Sequence, residues 1–316
     1  MLSLLLLAAL KKAMDFRGDG APQLRYFSGE DFGVSTSPFS FIYKKHLLRG
    51  ERFFLPNRPY KGVVVFFHGI GAGHTAYSLE MAYFALHGYL VYGYDCLGCM
   101  TSEGHGIGSL CESLGAQKAF FEFLDHDEEA KGLDRYVVGH SWGGFTALGA
   151  CRKEFGVKAI ASIAGFTSCA DIMVAKEKRL EKFRPLVRLA LRWGYGSFAA
   201  SDMTKAVASS SARVLYIQGE ADTMVEPKYG IEKIKAAFPN DKRVQCVLIP
   251  DAGHNPYWTK EAQLYILELV RDHHITSRDF DNQIEIDYGK LNQDDPQFMK
   301  SILDFFENVD KPSSGE

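Results

Sequence analysis

The sequence predicts an α/β fold with a mostly parallel central sheet and helices on both of its faces. Short, continuously apolar runs such as 63–67 and 214–218 alternate with stretches of helical periodicity, which is typical of strands buried on both faces. The chain has 316 residues, of which 46% are hydrophobic and 24% are charged, so it is long enough to bury a large core. Its formal net charge of -3 argues against extensive binding to nucleic acid.

Each apolar run is assigned to a strand and each periodic stretch to a helix. We expect a hairpin over 38–55 with its turn near Arg49-Gly50, then strands at 63–67, 89–94, 136–138, 158–164, 213–218 and 244–249. Helices are expected near 75–87, 110–124, 142–153, 258–271 and 296–309. Residues 284–288 are interpreted as an extended appendage.

The distance between two of these strands predicts an inserted cap. About 50 residues of helical pattern separate the strand ending near Ala164 from the strand beginning at Arg213, and this insertion leaves the sheet at the edge where open α/β sheets bind ligands. We therefore divide the chain into an apolar N-terminal segment at 1–25, a core at 26–165 and 212–316, and a helical cap at 166–211.

A candidate nucleophile lies between a strand and a helix, in Gly139-His140-Ser141-Trp142-Gly143. In this G-x-S-x-G pattern the serine sits on a sharp strand-to-helix turn, where side chains in place of the glycines would clash. The helix that begins near Trp142 directs backbone N–H groups and its positive dipole end toward the serine. By itself the pattern also fits an ordinary turn with an N-cap serine.

A base and an acid follow two later strands in the order that such a serine requires. A serine hydroxyl is a poor nucleophile until a base takes its proton, and the partners are expected in the order Ser…Asp…His. Asp222 follows the strand at 213–218 and His254 follows the strand at 244–249. We predict Ser141 as nucleophile, His254 as general base and Asp222 as the acid that orients the histidine, with Glu220 as the second choice for the acid.

The loop His68-Gly69-Ile70-Gly71-Ala72-Gly73-His74 follows the first buried strand. An oxyanion hole needs a second N–H donor from a loop in this position, and its glycines allow the backbone to approach a substrate closely. We assign the two donors to the backbone N–H groups of Ile70 and Trp142. We expect His68 to stabilise the loop. His74 is expected either to line the substrate pocket or to be solvated.

Together these motifs resemble the α/β-hydrolase superfamily over roughly residues 60–275. Within it the chain looks like the branch of monoacylglycerol lipases, small carboxylesterases and serine aminopeptidases. The resemblance rests on five motifs in order: His68-Gly69-Ile70-Gly71, Asp95 through Ser102-Glu103-Gly104, Gly139 through Gly144, Gly219-Glu220-Ala221-Asp222 and Gly253-His254. It implies an α/β-hydrolase fold and hydrolysis of a small-molecule substrate through an acyl-enzyme, with no metal or other cofactor.

The chain departs from the lipase-like pattern in three places. Trp142 replaces the usual Met or Gln after the nucleophile, and it either narrows the acyl pocket or packs in the core. The segment Asp95 to Met100 lacks the Arg or His that usually stands beside a Gly-x-Gly. The oxyanion loop has one extra residue before His74, which allows the donor to shift by one position.

The N-terminus and the cysteines bear on where the protein acts. Residues 2–10 are strongly apolar but shorter than the roughly 20 residues that span a bilayer. Three interpretations stay open: a helix docked on the body, an interfacial membrane anchor, and the remnant of a longer signal-anchor. The six scattered cysteines favour buried, reduced thiols in a cytoplasmic protein, with membrane association through the N-terminus as the alternative.

The substrate is less well defined than the fold. Residues 176–192 of the cap carry seven basic and two acidic side chains between apolar residues, which fits a solvated face, contact with anionic lipid, or recognition of an acidic group. We favour a hydrolase of small or single-chain carboxylic esters. The alternatives are a serine aminopeptidase or amidase, which would need acidic groups in the cap, and a catalytically silent binding protein.

Overall fold

A computed structural model describes residues 2–175, 178–275 and 284–309. Its centre is an eight-stranded sheet in the order β1-β2-β4-β3-β5-β6-β7-β8. The strands are β1 (Ser35–Tyr43), β2 (His46–Phe54), β3 (Val63–Phe67), β4 (Leu90–Tyr94), β5 (Arg135–His140), β6 (Val157–Ile163), β7 (Arg213–Gly219) and β8 (Val244–Ile249). From β4 to β8 all neighbours are parallel, whereas β1 and β2 are antiparallel. This confirms the predicted fold class.

Helices connect these strands and cover the sheet. They are α1 (Leu2–Ala13), α2 (Ser78–Leu86), α3 (Glu112–Leu124), α4 (Trp142–Gly149), α5 (Cys169–Ala175), α6 (Arg184–Ala199), α7 (Thr204–Ala208), α8 (Ile231–Ala237), α9 (Lys260–Arg271), α10 (Tyr288–Leu291) and α11 (Pro296–Glu307). Alternate residues of β3 enter different cores, because successive side chains of a strand point to opposite faces. Val63 and Val65 pack on one face and Val64 and Phe66 on the other.

The hairpin forms, but its turn is not where the sequence predicted it. Tyr43 pairs with His46, so the chain turns at Lys44-Lys45, and Lys44 has a positive φ of 55°. Gly50 lies inside β2, where a Cβ would overlap the backbone of β4. Gly50 is therefore required because the two strands pack closely. In the sequence alone, a glycine at this position also indicates a turn, and the two causes cannot be distinguished.

The apolar N-terminal helix α1 packs against α6 of the predicted cap. Leu7 fills the space beside Gly194, and the ammonium of Lys11 lies 5.5 Å from the ring centre of Tyr195. These contacts favour the docked-helix interpretation. Among the described residues, no helix combines the length and the apolar character needed to cross a membrane.

Of the predicted extended appendage at 284–288, residues 284–287 belong to no helix or strand, whereas Tyr288 is helical. Tyr288 begins α10, which packs against α9, and its hydroxyl accepts a hydrogen bond of 2.7 Å from the backbone N–H of Arg25. Farther on, the backbone of Asp294 forms an antiparallel bridge with Trp258. The local sequence could not reveal these contacts, because they depend on residues far away in sequence.

Candidate active site

Ser141 stands on the turn between β5 and α4. Its backbone has φ 58° and ψ -116°, a conformation that ordinary residues rarely adopt. A Cβ on Gly139 would overlap the backbone of Gly143, and one on Gly143 would overlap the carbonyl of Phe67. Both glycines are therefore needed to bring β5 and α4 together, and the serine is lifted out at the carboxyl end of the strand.

The structure brings the three predicted catalytic side chains together. The Oγ of Ser141 lies 2.9 Å from Nε2 of His254, and Nδ1 of His254 lies 3.0 and 3.1 Å from the carboxylate oxygens of Asp222. A carboxylate can only accept, so Nδ1 carries the proton and Nε2 is free to accept from the serine. Glu220, the second choice for the acid, is exposed and is not hydrogen-bonded to this histidine.

Asp222 is held rigidly beneath His254. One of its oxygens accepts hydrogen bonds of 2.9 Å from the backbone N–H groups of Met224 and Val225, and the side chain is almost completely buried. These bonds fix the carboxylate in one orientation, so it can hold the imidazole plane toward Ser141. The order Ser…Asp…His in the sequence becomes a linear hydrogen-bonded array in space.

The two predicted oxyanion donors belong to two different segments that line the cavity together with Ser141. Trp142 begins α4, and Ile70 lies in the loop after β3, where its side chain is partly exposed. Neither backbone N–H takes part in a hydrogen bond within the described part of the chain. The amide of Gly69, one position earlier, is already bound to the hydroxyl of Tyr77 at 3.0 Å. These bonds leave Ile70, rather than Gly69, as the candidate donor of this loop.

His68 and His74 lie at the two ends of the oxyanion loop, and both are buried and hydrogen-bonded to neighbouring residues. His68 donates from Nδ1 to the carbonyl of Gly69 at 2.7 Å and accepts from the N–H of Cys96 at 2.9 Å. This ties the loop after β3 to the loop after β4. Burial lowers the pKa of His68, in keeping with a neutral ring that both donates and accepts.

The prediction that His74 lines the substrate pocket or is solvated is wrong. Its side chain is buried, and Nδ1 lies 2.7 Å from Oδ1 of Asp95. It is not among the residues that line the cavity at Ser141. Burial alone would lower the pKa of His74, but the charge and hydrogen bond of Asp95, together with Glu51, raise it to about 9. His74 therefore forms a buried ion pair.

Two residues that sequence reasoning missed connect the oxyanion loop to the catalytic histidine. The Nε2–H of His140 donates to the carbonyl of His254 at 2.8 Å, so Nδ1 of His140 is left to accept from the hydroxyl of Tyr77 at 2.9 Å. Burial, with the nearby His254, lowers the pKa of His140 to about 3, so it stays neutral. His140 lies within the G-x-S-x-G motif, but no local signal identifies Tyr77.

A cavity of about 810 Å³ opens beside Ser141 and His254. The segment between β6 and β7 lines it with Phe166, Ile172 and Met173. The N-terminal segment supplies a larger share of the wall, including Leu10, Met14 and several residues of 20–27. The predicted apolar segment at 1–25 therefore encloses part of the site together with the inserted helices.

Trp142 has one of its two predicted roles, packing in the core. The side chain is buried and donates from Nε1 to the carbonyl of Leu110 at 2.8 Å. It also lines the cavity. The indole is therefore fixed in the core, and a narrowing of the acyl pocket by Trp142 stays a prediction.

The basic residues of the inserted helices are not all free. The guanidinium groups of Arg184 and Arg188 lie 3.3 and 3.9 Å from a carboxylate oxygen of buried Asp171, and Lys233 contacts the same carboxylate. These basic side chains are therefore already paired within the protein, and their presence needs no lipid or acidic substrate as an explanation. Contact with an anionic membrane stays a prediction.

Two family models match the chain. One, described as "Serine aminopeptidase, S33", matches residues 58–193, and the other, described as the alpha/beta hydrolase fold, matches residues 183–261. A comparison with curated protein sequences gave no match. With the sheet order and the serine turn described above, the matches identify the chain as a member of the α/β-hydrolase superfamily.

Solved structures with the same fold include hydrolases of several kinds. An esterase from Pyrococcus furiosus is 14% identical, with a TM-score of 0.59 over 82% of this chain and 97% of the esterase. An acylaminoacyl peptidase from Pyrococcus horikoshii is 16% identical, with a TM-score of 0.61 over 90% of this chain but 43% of the peptidase. A dienelactone hydrolase-like promiscuous phosphotriesterase from metagenomic libraries is 14% identical, with a TM-score of 0.58, over 87% of this chain and 98% of that one. At these identities the likeness shows the fold. The family models support a hydrolase.

Proposed function

We propose that the protein is a serine hydrolase that cleaves carboxylic esters of small or single-chain acyl groups through an acyl-enzyme. The observation that carries the proposal is the array of Ser141, His254 and Asp222, with distances of 2.9 and 3.0 Å between successive members. A hydroxyl at hydrogen-bond distance from an oriented imidazole is the arrangement that general-base activation requires.

In the proposed reaction we assign a residue to each step. His254 takes the hydroxyl proton while Oγ of Ser141 attacks the ester carbonyl, and Asp222 stabilises the imidazolium that forms. The backbone N–H groups of Ile70 and Trp142 hold the oxyanion. His254 then protonates the alcohol, which leaves, and a water activated by the same imidazole releases the acid from Ser141.

The lining of the cavity supports an acyl group of appreciable size. Apolar side chains surround much of the space, among them Met14, Phe166, Ile172 and Met173. A volume of about 810 Å³ is within the range of sites for small molecules. An alkyl chain in this space would lose its contact with water, which contributes roughly 0.8 kcal/mol for each buried methylene.

The test is the initial rate on p-nitrophenyl esters from acetate to palmitate. We expect hydrolysis that depends on Ser141, because Ser141→Ala removes the nucleophile. We also expect His254→Ala to lower kcat by a similar factor, on the order of 10⁴ or more, since members of a triad act as a unit. The matched control is His126→Ala, which changes an exposed histidine in the turn after α3 and should retain normal rates.

Near-full turnover by the His254→Ala variant would contradict the assignment of the base. Serine-dependent cleavage of p-nitroanilides without cleavage of esters would favour the amidase or aminopeptidase, as one family model suggests. Absence of serine-dependent hydrolysis of either series would favour a silent binding protein.

A further inference from the structure

One face of α1 forms part of the wall of the cavity that holds Ser141. Leu10, Ala13 and Met14 line this cavity, and a spacing of three and four residues places them on one face of a helix. Met14 continues the last helical turn, because its N–H donates to the carbonyl of Leu10 at 3.2 Å. Ala8 of the same helix is exposed and does not line the cavity. Only one side of α1 therefore faces the site.

The segment that follows α1 is attached to the loop between β4 and α3. The N–H of Gly108 donates to the carbonyl of Met14 at 3.1 Å, and the N–H of Ile107 donates to the carbonyl of Phe16 at 3.0 Å. A Cβ on Gly106 would come within 2.7 Å of the backbone of Phe16. The two stretches of backbone are therefore in close contact.

Arg17 adds further hydrogen bonds to this attachment. Its guanidinium donates to the carbonyls of Met100 at 2.7 Å and Gly104 at 2.6 Å, and hydrogen bonds from a charged donor are stronger than neutral ones. The N–H of Gly18 donates to the carbonyl of Gly98 at 2.9 Å. The end of α1 is therefore held in a fixed position beside the sheet.

A series of cavity-lining residues connects the catalytic serine to α1. Trp142, which follows Ser141, donates from Nε1 to the carbonyl of Leu110. Leu110 lies two residues after Gly108, whose N–H is bound to Met14. Trp142, Leu110 and Met14 all line the cavity. Because Trp142 is also a predicted oxyanion donor, this wall begins where the carbonyl of an ester is held in the proposed reaction.

The chemistry of the lining indicates which part of an ester lies along this wall. The side chains of Leu110, Leu10 and Met14 are apolar, whereas Asn255 and Asn292 place polar groups on other parts of the cavity. An alkyl chain gains affinity by leaving water for apolar surroundings. The wall that leads to α1 therefore fits the acyl chain, and the polar parts fit the alcohol.

We propose that Leu10 and Met14 determine the length of the acyl chain that the enzyme accepts. This inference rests on the proposed function, which places the ester carbonyl at Ser141. An acyl chain that runs along Trp142 toward α1 gains about fourfold in kcat/KM for each methylene that it buries. The gain ends where the chain meets these two side chains, because a further methylene must displace them or stay in water.

The test is kcat/KM on p-nitrophenyl esters from acetate to dodecanoate, measured on the wild type and on two variants that change the wall in opposite directions. Met14→Ala removes side-chain volume and should move the optimum to acyl chains about two carbons longer. Ala13→Phe adds volume and should move it to shorter chains. At fourfold for each methylene, the kcat/KM ratio of two esters on either side of the optimum should change by about 10-fold.

Each variant has a matched control. Ala8→Phe places the same ring on an exposed part of α1 that does not line the cavity. Met299→Ala removes the same side chain from α11, where it packs in the core on the other face of the sheet. Both controls should keep the wild-type optimum, and circular dichroism shows whether each variant is folded. Alkyl acetates from ethyl to decyl vary the alcohol instead, and their order of preference should not change.

Met14→Ala decides the test if it is folded, and Ala13→Phe decides it if Met14→Ala is not. An unchanged optimum in the deciding variant would overturn the role of this wall. The same holds for an equal shift in the matched control, or for a shift that occurs with the alkyl acetates alone.

The length limit can also be measured without hydrolysis. Calorimetry gives the affinity of 1-alkanols from butanol to decanol for Ser141→Ala, with and without Met14→Ala. If only the proposed function is wrong, serine-dependent hydrolysis is absent, but Met14→Ala still binds alkanols about two carbons longer before the affinity stops rising. If only the length limit is wrong, esters are hydrolysed and neither series changes. The two hypotheses can therefore fail separately.

Discussion

Two aspartates near the active site have buried carboxylate oxygens but differ in their hydrogen-bond partners. Asp95, after β4, accepts hydrogen bonds from the N–H and Nδ1 of His74 and from the N–H and hydroxyl of Thr101, at distances between 2.6 and 3.0 Å. Asp294, before α11, accepts none from the described residues. Asp95 is not among the residues that line the cavity, whereas Asp294 is.

This difference separates an acid whose buried charge is compensated from an acid whose burial is not compensated. Burial alone would raise the pKa of Asp95, but the charge and hydrogen bond of His74 hold it well below the usual range. Asp294 receives no such compensation, and burial raises its pKa to about 7. A buried carboxylate with hydrogen-bond partners stabilises the loops around it. A buried carboxylate without such partners lowers the free energy of unfolding.

The largest effect is expected from Asp95→Asn. It removes the negative charge of a buried ion pair, so the buried His74 loses the partner that stabilises its charge, and the free energy of unfolding should fall by about 3–5 kcal/mol. Urea unfolding followed by circular dichroism measures this loss. Asp304→Asn, which breaks an exposed pair with Lys300 on α11, is the control and should cost less than about 1 kcal/mol. A loss equally small for Asp95→Asn would refute the structural role.

The same ion pair predicts how stability depends on pH. Because the pKa of Asp95 is lowered in the folded state, its contribution is present above the unfolded value of about 4 and is lost as the pH falls. Because the pKa of His74 is raised to about 9, its contribution is present below the unfolded value of about 6.5 and is lost as the pH rises through 9.

The stability gap between the wild type and Asp95→Asn should therefore be widest between about pH 4 and 6.5. Urea titrations at intervals of one pH unit test this. A gap that does not change between pH 5 and pH 9.5 would argue against an ionised pair.

Asp294→Asn is expected to change stability in the opposite direction, so that the variant is more stable than the wild type above neutral pH. Since the pKa of Asp294 is raised to about 7, the folded state keeps a proton that the unfolded state has lost above about pH 4, and stability falls as the pH rises through 7. An amide does not ionise, so the variant should be more stable than the wild type at pH 8, by about 1–3 kcal/mol. Melting temperatures at pH 5 and pH 8 measure the difference. A variant that is less stable at pH 8 would mean that the carboxylate has a partner.

A smaller effect is expected from Tyr77→Phe. Tyr77 contacts the loop that ends at His74, and it also lines the cavity. The hydroxyl accepts from Gly69 in the loop that ends at His74 and donates to His140, while the ring lines the cavity near Glu80. Its loss should cost roughly 1 kcal/mol of stability. It should also lower kcat about threefold to tenfold, because the oxyanion loop is less well positioned.

Initial rates on a p-nitrophenyl ester, with KM determined separately, test the role of Tyr77. A purely structural role would leave kcat of the folded variant unchanged. Tyr83→Phe, on the outer part of α2 and half-buried, is the matched control.

Local patterns in the sequence determined much of this protein. Buried strands appear as apolar runs because both of their faces are covered, and the turn at Ser141 requires Gly139 and Gly143 because backbone atoms occupy the space of their side chains. The order Ser141, Asp222, His254 could be predicted, because the carboxyl ends of parallel strands lie at the same edge of the sheet.

Tertiary structure decided what these local patterns could not show. Gly50 had the signal of a turn but serves close strand packing, and His74 was expected at the pocket but is buried against Asp95. The charge of Asp294 raises the pKa of Glu80, although the two residues are more than 200 positions apart in the sequence. Burial and charge depend on such distant neighbours, so the surroundings of these two acids are determined by the folded chain.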